Sequence, residues 1–182
     1  ITISALDCEI GWINFAPPAA GGRGISITPT AGATNGSRPW IHDCTFALIA
    51  TASTTTYGIT SPAGVTADLL EDVLVTRCYF VSGLADSTGA NGPGVNVLAT
   101  AHGFTVEQCT FQLKGTAAWA AAILSSNPGT LGLLVRDCDF VAPTSARTVI
   151  RNVIQCTGMT VDASTTVLRC FFTTGSTKQI VG

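Results

Sequence analysis

Six times along this 182-residue chain the same short phrase returns: two apolar residues at alternate positions, a gap of two, a cysteine, then a bulky apolar residue. It reads Ile3-x-Ala5-x-x-Cys8-x-Ile10, Pro39-x-Ile41-x-x-Cys44-x-Phe46 and Val73-x-Val75-x-x-Cys78-x-Phe80. It continues as Phe104-x-Val106-x-x-Cys109-x-Phe111, Leu133-x-Val135-x-x-Cys138-x-Phe140 and Thr165-x-Val167-x-x-Cys170-x-Phe172. Successive cysteines lie 36, 34, 31, 29 and 32 residues apart. A period in this range marks units that cannot bury an apolar face alone and do so by stacking on their neighbours.

Within a phrase, Phe104 and Val106 alternate with Thr105 and Glu107, the period-2 pattern of a half-buried strand. The alternation then slips by one residue before Cys109 and resumes as Cys109-x-Phe111. A slip of one would turn every later side chain to the opposite face unless the backbone bends there. The pattern therefore predicts a sharp corner at Glu107-Gln108, with the cysteine pointing inward just after it. A third strand is expected further along each repeat, at Gly24–Ile27, Gly58-Ile59, Gly94–Val97, Ala122–Leu124 and Val149-Ile150. Turn-forming clusters separate these segments, among them Pro17-Pro18 with Gly21-Gly22, Thr28 to Ser37, Ser61-Pro62-Ala63-Gly64 and Ala85 to Gly94. The expectation is one all-β domain spanning 1–182, with repeats near 1–24, 25–58, 59–94, 95–122, 123–149 and 150–182. Each repeat contributes to three short sheets, in a parallel β-helix of about six coils of roughly 30 residues.

Seven cysteines raise disulfides and zinc as possibilities. Zinc ligands come in pairs two to four residues apart, whereas these cysteines come one per repeat, with Cys156 outside the series. Stacked cysteines about 4.8 Å apart fall within disulfide range, but their side chains would point the same way, which disfavours bridging. Cys8, Cys44, Cys78, Cys109, Cys138 and Cys170 are thus expected as a structural core column of small hydrophobes. No metal and no cofactor are expected.

Only 11% of the residues are charged, against about 25% in an ordinary domain, and lysine is confined to Lys114 and Lys178. A formal net charge of −2 supplies no basic stripe, so nucleic acid is not an expected partner. No apolar run approaches the roughly 20 residues of a membrane-spanning helix, so no membrane partner is expected. A surface this poor in charge suggests cover by other subunits.

The h-x-h-x-x-C-x-F phrase resembles the right-handed parallel β-helix repeat of the pectate-lyase-like superfamily, with cysteine where that repeat often carries a corner asparagine. The resemblance spans nearly the whole chain and implies a single-stranded right-handed β-helix, but as a fold-level pattern it reaches no particular enzyme. Six turns at about 4.8 Å make a rod roughly 29 Å long. Neither end shows a polar cap, so a partner subunit, a further domain or folded-back loops are expected to cover it. The absence of an initiator Met agrees with a processed or partial chain.

In a stacked fold, equivalent positions form columns. The residue before each cysteine runs Asp7, Asp43, Arg77, Gln108, Asp137, Arg169, and the one before that Leu6, His42, Thr76, Glu107, Arg136, Leu168. Asp43 is then expected to meet Arg77, Glu107 to meet Arg136, and Asp137 to meet Arg169, as register-setting charge pairs. The catalytic alternative rests on Asp137 and Asp139, which flank Cys138, with Arg169 one turn on; Asp7 and Glu9 flank Cys8 similarly. Glycoside hydrolysis needs two carboxyls about 5 Å or about 6.5–9.5 Å apart, yet an arginine partner would keep Asp137 ionised and unfit as an acid. Asp68, Glu71 and Asp72 form a small acidic group that reads as a solvated loop and not as a Ca²⁺ site. His42 and His102 read as surface residues, and the Thr-rich stretch from Thr51 to Thr60 lacks the regular T-x-T of an ice-binding array.

Two function classes follow. The first is a non-enzymatic structural or adhesive module, such as a phage capsid-decoration or tailspike/fibre component. It would be extracellular or on a virion surface, assembled with protein subunits as a homotrimer, with a glycan as a possible further partner. The second is a polysaccharide lyase or hydrolase of the pectate-lyase-like type, with a cell-surface glycan-binding module between them.

Overall fold

The structure, a computed structural model, describes residues 1–4, 7–16, 22–28, 38–48, 57–61, 69–82, 92–113, 121–126, 132–141, 154–156, 165–173 and 180–181. These residues form strands, turns and bends with no helix among them. In chain order the strands are β1 (Thr2–Ile3), β2 (Glu9–Gly11), β3 (Asn14–Phe15), β4 (Arg23–Ile27), β5 (Trp40–His42), β6 (Thr45–Leu48) and β7 (Tyr57–Ser61). Next come β8 (Leu69–Glu71), β9 (Leu74–Thr76), β10 (Tyr79–Ser82), β11 (Val95–Val97), β12 (Thr100–His102), β13 (Thr105–Glu107) and β14 (Thr110–Leu113). The last are β15 (Ile123–Ser125), β16 (Leu133–Arg136), β17 (Asp139–Val141), β18 (Ile154–Cys156), β19 (Thr165–Leu168), β20 (Phe171–Thr173) and β21 (Ile180–Val181).

Strands pair in parallel with their counterparts in the next pass of the chain, an arrangement compatible with a β-helix or another solenoid. One six-stranded sheet takes the strand before each corner (β2, β5, β9, β13, β16, β19), and a second takes the strand after it (β3, β6, β10, β14, β17, β20). A seven-stranded sheet joins β1, β4, β7, β11, β15, β18 and β21. A small fourth sheet, β8 with β12, goes beyond the three expected. In the seven-stranded sheet Ile123 lies opposite Ile154, so the strand expected at Val149-Ile150 belongs four residues later. Val149 and Ile150 themselves lie outside the described residues.

The corner has a definite backbone form. Trp12, Asp43, Arg77, Gln108, Asp137 and Arg169 all have φ between +48° and +57°. One left-handed residue reverses the pleat, which is how the one-residue slip is absorbed without turning the following strand inside out. The amides of the first five donate to the carbonyl just before the next corner, as in Asp43 to Thr76 at 3.2 Å and Asp137 to Leu168 at 3.0 Å. The cysteine that follows lends its thiol to the same kind of carbonyl, its own i−2 neighbour. Cys44 reaches His42 O at 3.1 Å, Cys109 reaches Glu107 O at 3.2 Å and Cys138 reaches Arg136 O at 3.2 Å. Cys44, Cys78, Cys109 and Cys138 are buried in the core.

The first phrase is displaced from its expected register. Ile10 lies opposite Ile41 and Phe15 opposite Phe46, while the Thr45 amide bonds to Ile13 O. The corner cysteine's place in the first pass is therefore taken by Ile13, preceded by Trp12 and not by Asp7. Cys8 sits one strand earlier, where the Trp40 amide bonds to its carbonyl, opposite Pro39. The reason is packing: this register stacks Phe15 on Phe46 at 4.7 Å with ring planes 3° apart. Reading Cys8 as the corner would place Ile10 in the phenylalanine column and leave Phe15 out of it.

The stack continues through Phe46–Phe80, Phe80–Phe111 and Phe111–Phe140, with ring centroids 4.6–5.0 Å apart. That spacing is the strand separation itself. Gly24, Gly58 and Gly94 face the rings. A Cβ on Gly58 would stand 2.6 Å from Gly94 O and 2.8 Å from the Phe80 ring. Inward columns of Ile41, Val75, Val106 and Val135 and of Ile25, Ile59, Val95, Ile123 and Ile154 complete the core.

Candidate functional site

Most charged groups of the described residues gather at or beside the corners, since the outward-facing corner residue is the one the core does not constrain; Arg23, at the start of β4, stands apart. The three ion pairs expected from column order are present. Arg77 grips Asp43 through two bonds, Nε to Oδ1 at 2.9 Å and a terminal nitrogen to Oδ2 at 2.7 Å. Arg169 grips Asp137 in the same way at 2.6 and 2.7 Å. Arg136 meets Glu107, with Nε to Oε2 at 2.6 Å. A fourth pair, Arg38 with Asp7 at 2.9 Å, arises because Asp7 belongs to a different corner.

That second corner precedes the strand leading to the first. Asp7, Asp72, Gly103 and Gly132 have φ of +53°, +49°, +74° and +70°, and each immediately precedes a residue of the Cys8, Val73, Phe104 and Leu133 column. A Cβ on Gly103 would lie 2.7 Å from Asp72 Oδ1, and its φ of +74° also favours glycine. Asp72 is thus a corner residue, and Glu71 lies in register with His102, which is half-buried. Asp68 and residues 51–56 of the Thr-rich stretch lie outside the described residues. Among the described residues no group of three His, Cys, Asp or Glu side chains is placed to hold a metal ion.

The catalytic candidates are partly brought together. Asp137 and Arg169 are joined directly, while Asp139 is exposed at the start of β17, opposite Thr110 and Phe171. The Arg169 hydrogen bonds, aided by its charge, hold the Asp137 carboxyl below its ordinary 3.8. Such a group is ionised across the neutral range and cannot serve as a general acid there.

The sequence reading missed a cluster at the first two passes. His42, expected at an exposed corner, is 1% exposed. Its ring covers the bare backbone of Gly11, where a Cβ would come within 2.4 Å of Cε1. Trp12 stands edge-on to the imidazole at 4.6 Å, and Trp40 lies tilted against it at 4.2 Å. Nδ1 is 2.7 Å from Asp43 Oδ2, and Nε2 is 2.9 Å from Glu9 Oε1. Asp43, held by Arg77 first and His42 second, has its pKa lowered from 3.8 to about 2. The signal was the outward column Gly11-His42, with Glu9-Trp40 two residues earlier. It becomes readable only once Ile10 is set against Ile41.

Compared with known proteins, the chain matches no family model, no curated protein and no solved structure.

Proposed function

We propose that the parallel sheets close into a right-handed parallel β-helix of about six coils, and that this rod is a non-enzymatic structural or adhesive module. It acts through assembly with other subunits, as a homotrimer, in an extracellular setting or on a virion surface in the manner of a capsid-decoration or tailspike/fibre component. The observation that carries this reading is the engagement of the corner carboxylates. Asp43, Glu107 and Asp137 each bind an arginine of the following pass, and Asp7 binds Arg38. Groups tied in this way serve to hold the register of stacked strands, and Asp137, the leading catalytic candidate, is among them. The low charge of the chain supports a surface largely covered by partners.

Size-exclusion chromatography with light scattering tests the assembly, with a trimer expected. Incubation with acidic polysaccharides, read by release of unsaturated or reducing ends, tests the enzymatic class. A stable monomer that cleaves such polymers, and loses that activity on Asp137→Asn or Asp139→Asn, would overturn the proposal.

A further inference from the structure

The imidazole of His42 has a carboxylate oxygen at each of its two ring nitrogens. A neutral imidazole carries a single N–H, so one nitrogen would present its lone pair to a carboxylate; the imidazolium donates to both. The surroundings count the same way. Glu9 from β2 and Asp43 from the corner supply two negative charges, and Arg77 from the next pass supplies one positive charge through Asp43. A charged His42 brings this group to neutrality, while a neutral one leaves an excess of negative charge facing the buried ring. The remaining surroundings of the ring are Gly11, Trp12 and Trp40, and the face of Trp40, tilted 31° from the imidazole at 4.2 Å, favours a neighbouring cation. Below the ring's backbone, among the described residues, lie the Cys44 thiol, which donates to the His42 carbonyl, and the Cys78 thiol, which is close enough to feel the His42 charge. Glu107 of the fourth pass adds a negative charge beside Arg77.

We propose that His42 is a proton-operated clasp. As an imidazolium it ties Glu9 and Trp12 of the first pass to Asp43 and Arg77 of the second and third; loss of its proton loosens that tie at Trp12, while the backbone ladder and the Phe15–Phe46 stack still hold the first pass. Trp12, 77% exposed and with φ of +57°, an unfavourable conformation for so bulky a residue, is the element poised to move. Burial disfavours the charged ring, but the hydrogen bonds and charges of Asp43 and Glu9 outweigh it and the pKa rises above 6.5. The sign follows. A histidine whose pKa is raised by folding contributes its full stabilisation below 6.5, and that contribution is lost as pH climbs through the folded value. The device is independent of the oligomeric reading above.

The test is NMR of the intact chain with ¹⁵N-labelled histidine and tryptophan, titrated from pH 5 to pH 9. Variants His102→Gln and Trp12→Phe assign the signals. Both His42 ring nitrogens are expected to be protonated at neutral pH. The Trp12 indole resonance should shift with the same midpoint as His42, above that of a free histidine. Glu9→Gln, an exposed substitution that leaves the ring seated, should move both midpoints together to lower pH. A single neutral tautomer of His42 at neutral pH would overturn the clasp. So would a Trp12 signal that ignores the His42 titration, or midpoints unmoved by Glu9→Gln.

Discussion

At the scale of single residues, the phrase is a solution to one problem, turning a strand without inverting it. The left-handed residue does the turning, although a conformation with positive φ costs a residue bearing a Cβ about 1–2 kcal/mol. Arg77 and Arg169 occupy it and recover part of that cost through their forks onto Asp43 and Asp137. The cysteine follows because its small apolar side chain fits beside the phenylalanine column and its thiol can still donate to the corner carbonyl. Burial pushes the Cys44 and Cys109 thiols up, which keeps them protonated as donors. The glycines facing the rings are equally constrained. In Gly58→Ala the new methyl would meet backbone oxygen, which has no room to yield. We expect a loss of about 1–3 kcal/mol by urea denaturation, and an unchanged midpoint would show that the two passes can spread.

Elements add what residues cannot, namely stacking. Phe80 lies between Phe46 and Phe111 and is fully buried, whereas Phe15 has a single stacked neighbour among the described residues and stays half-buried. Phe80→Ala should cost about 3–5 kcal/mol. Phe15→Ala should cost distinctly less, and equal losses in thermal or urea unfolding would contradict the column. The charged corners form a second column running outside the first. Folding lowers the pKa of Asp43 to about 2 and also lowers that of Asp137. The unfolded chain then binds protons more readily than the folded one, so stability rises with pH across this window. Their contribution should be complete above roughly pH 4 and fade as pH falls toward 2. Denaturation between pH 5 and pH 2.5 checks it: Arg77→Ala and Arg169→Ala should each flatten the acid limb of the profile.

For the whole molecule, stability is close to a sum of contacts between successive passes, because each sheet grows only along the stack. Under the proposed assembly, light scattering of the intact chain should report an oligomer, since unpaired strand edges favour association. The all-β class, the strand–corner–strand order and three of the four arginine–carboxylate pairs found among the described residues were legible in the sequence, because strict alternation and a one-residue slip admit few backbones. The register of the first pass was not. Both Ile3-x-Ala5-x-x-Cys8-x-Ile10 and Cys8-x-Ile10-x-x-Ile13-x-Phe15 satisfy the apolar spacing, the second with Ile13 in the cysteine's place, and the long first interval between cysteines was the warning. Only the stacking of Phe15 on Phe46 decides between them, and with that choice Gly11 comes to lie beneath His42. The sequence by itself determined the repeating unit, since local alternation depends on a residue's own neighbours. Tertiary structure alone decided which units face each other, and so whether His42 lies on the surface or within a cage of carboxylates and tryptophans.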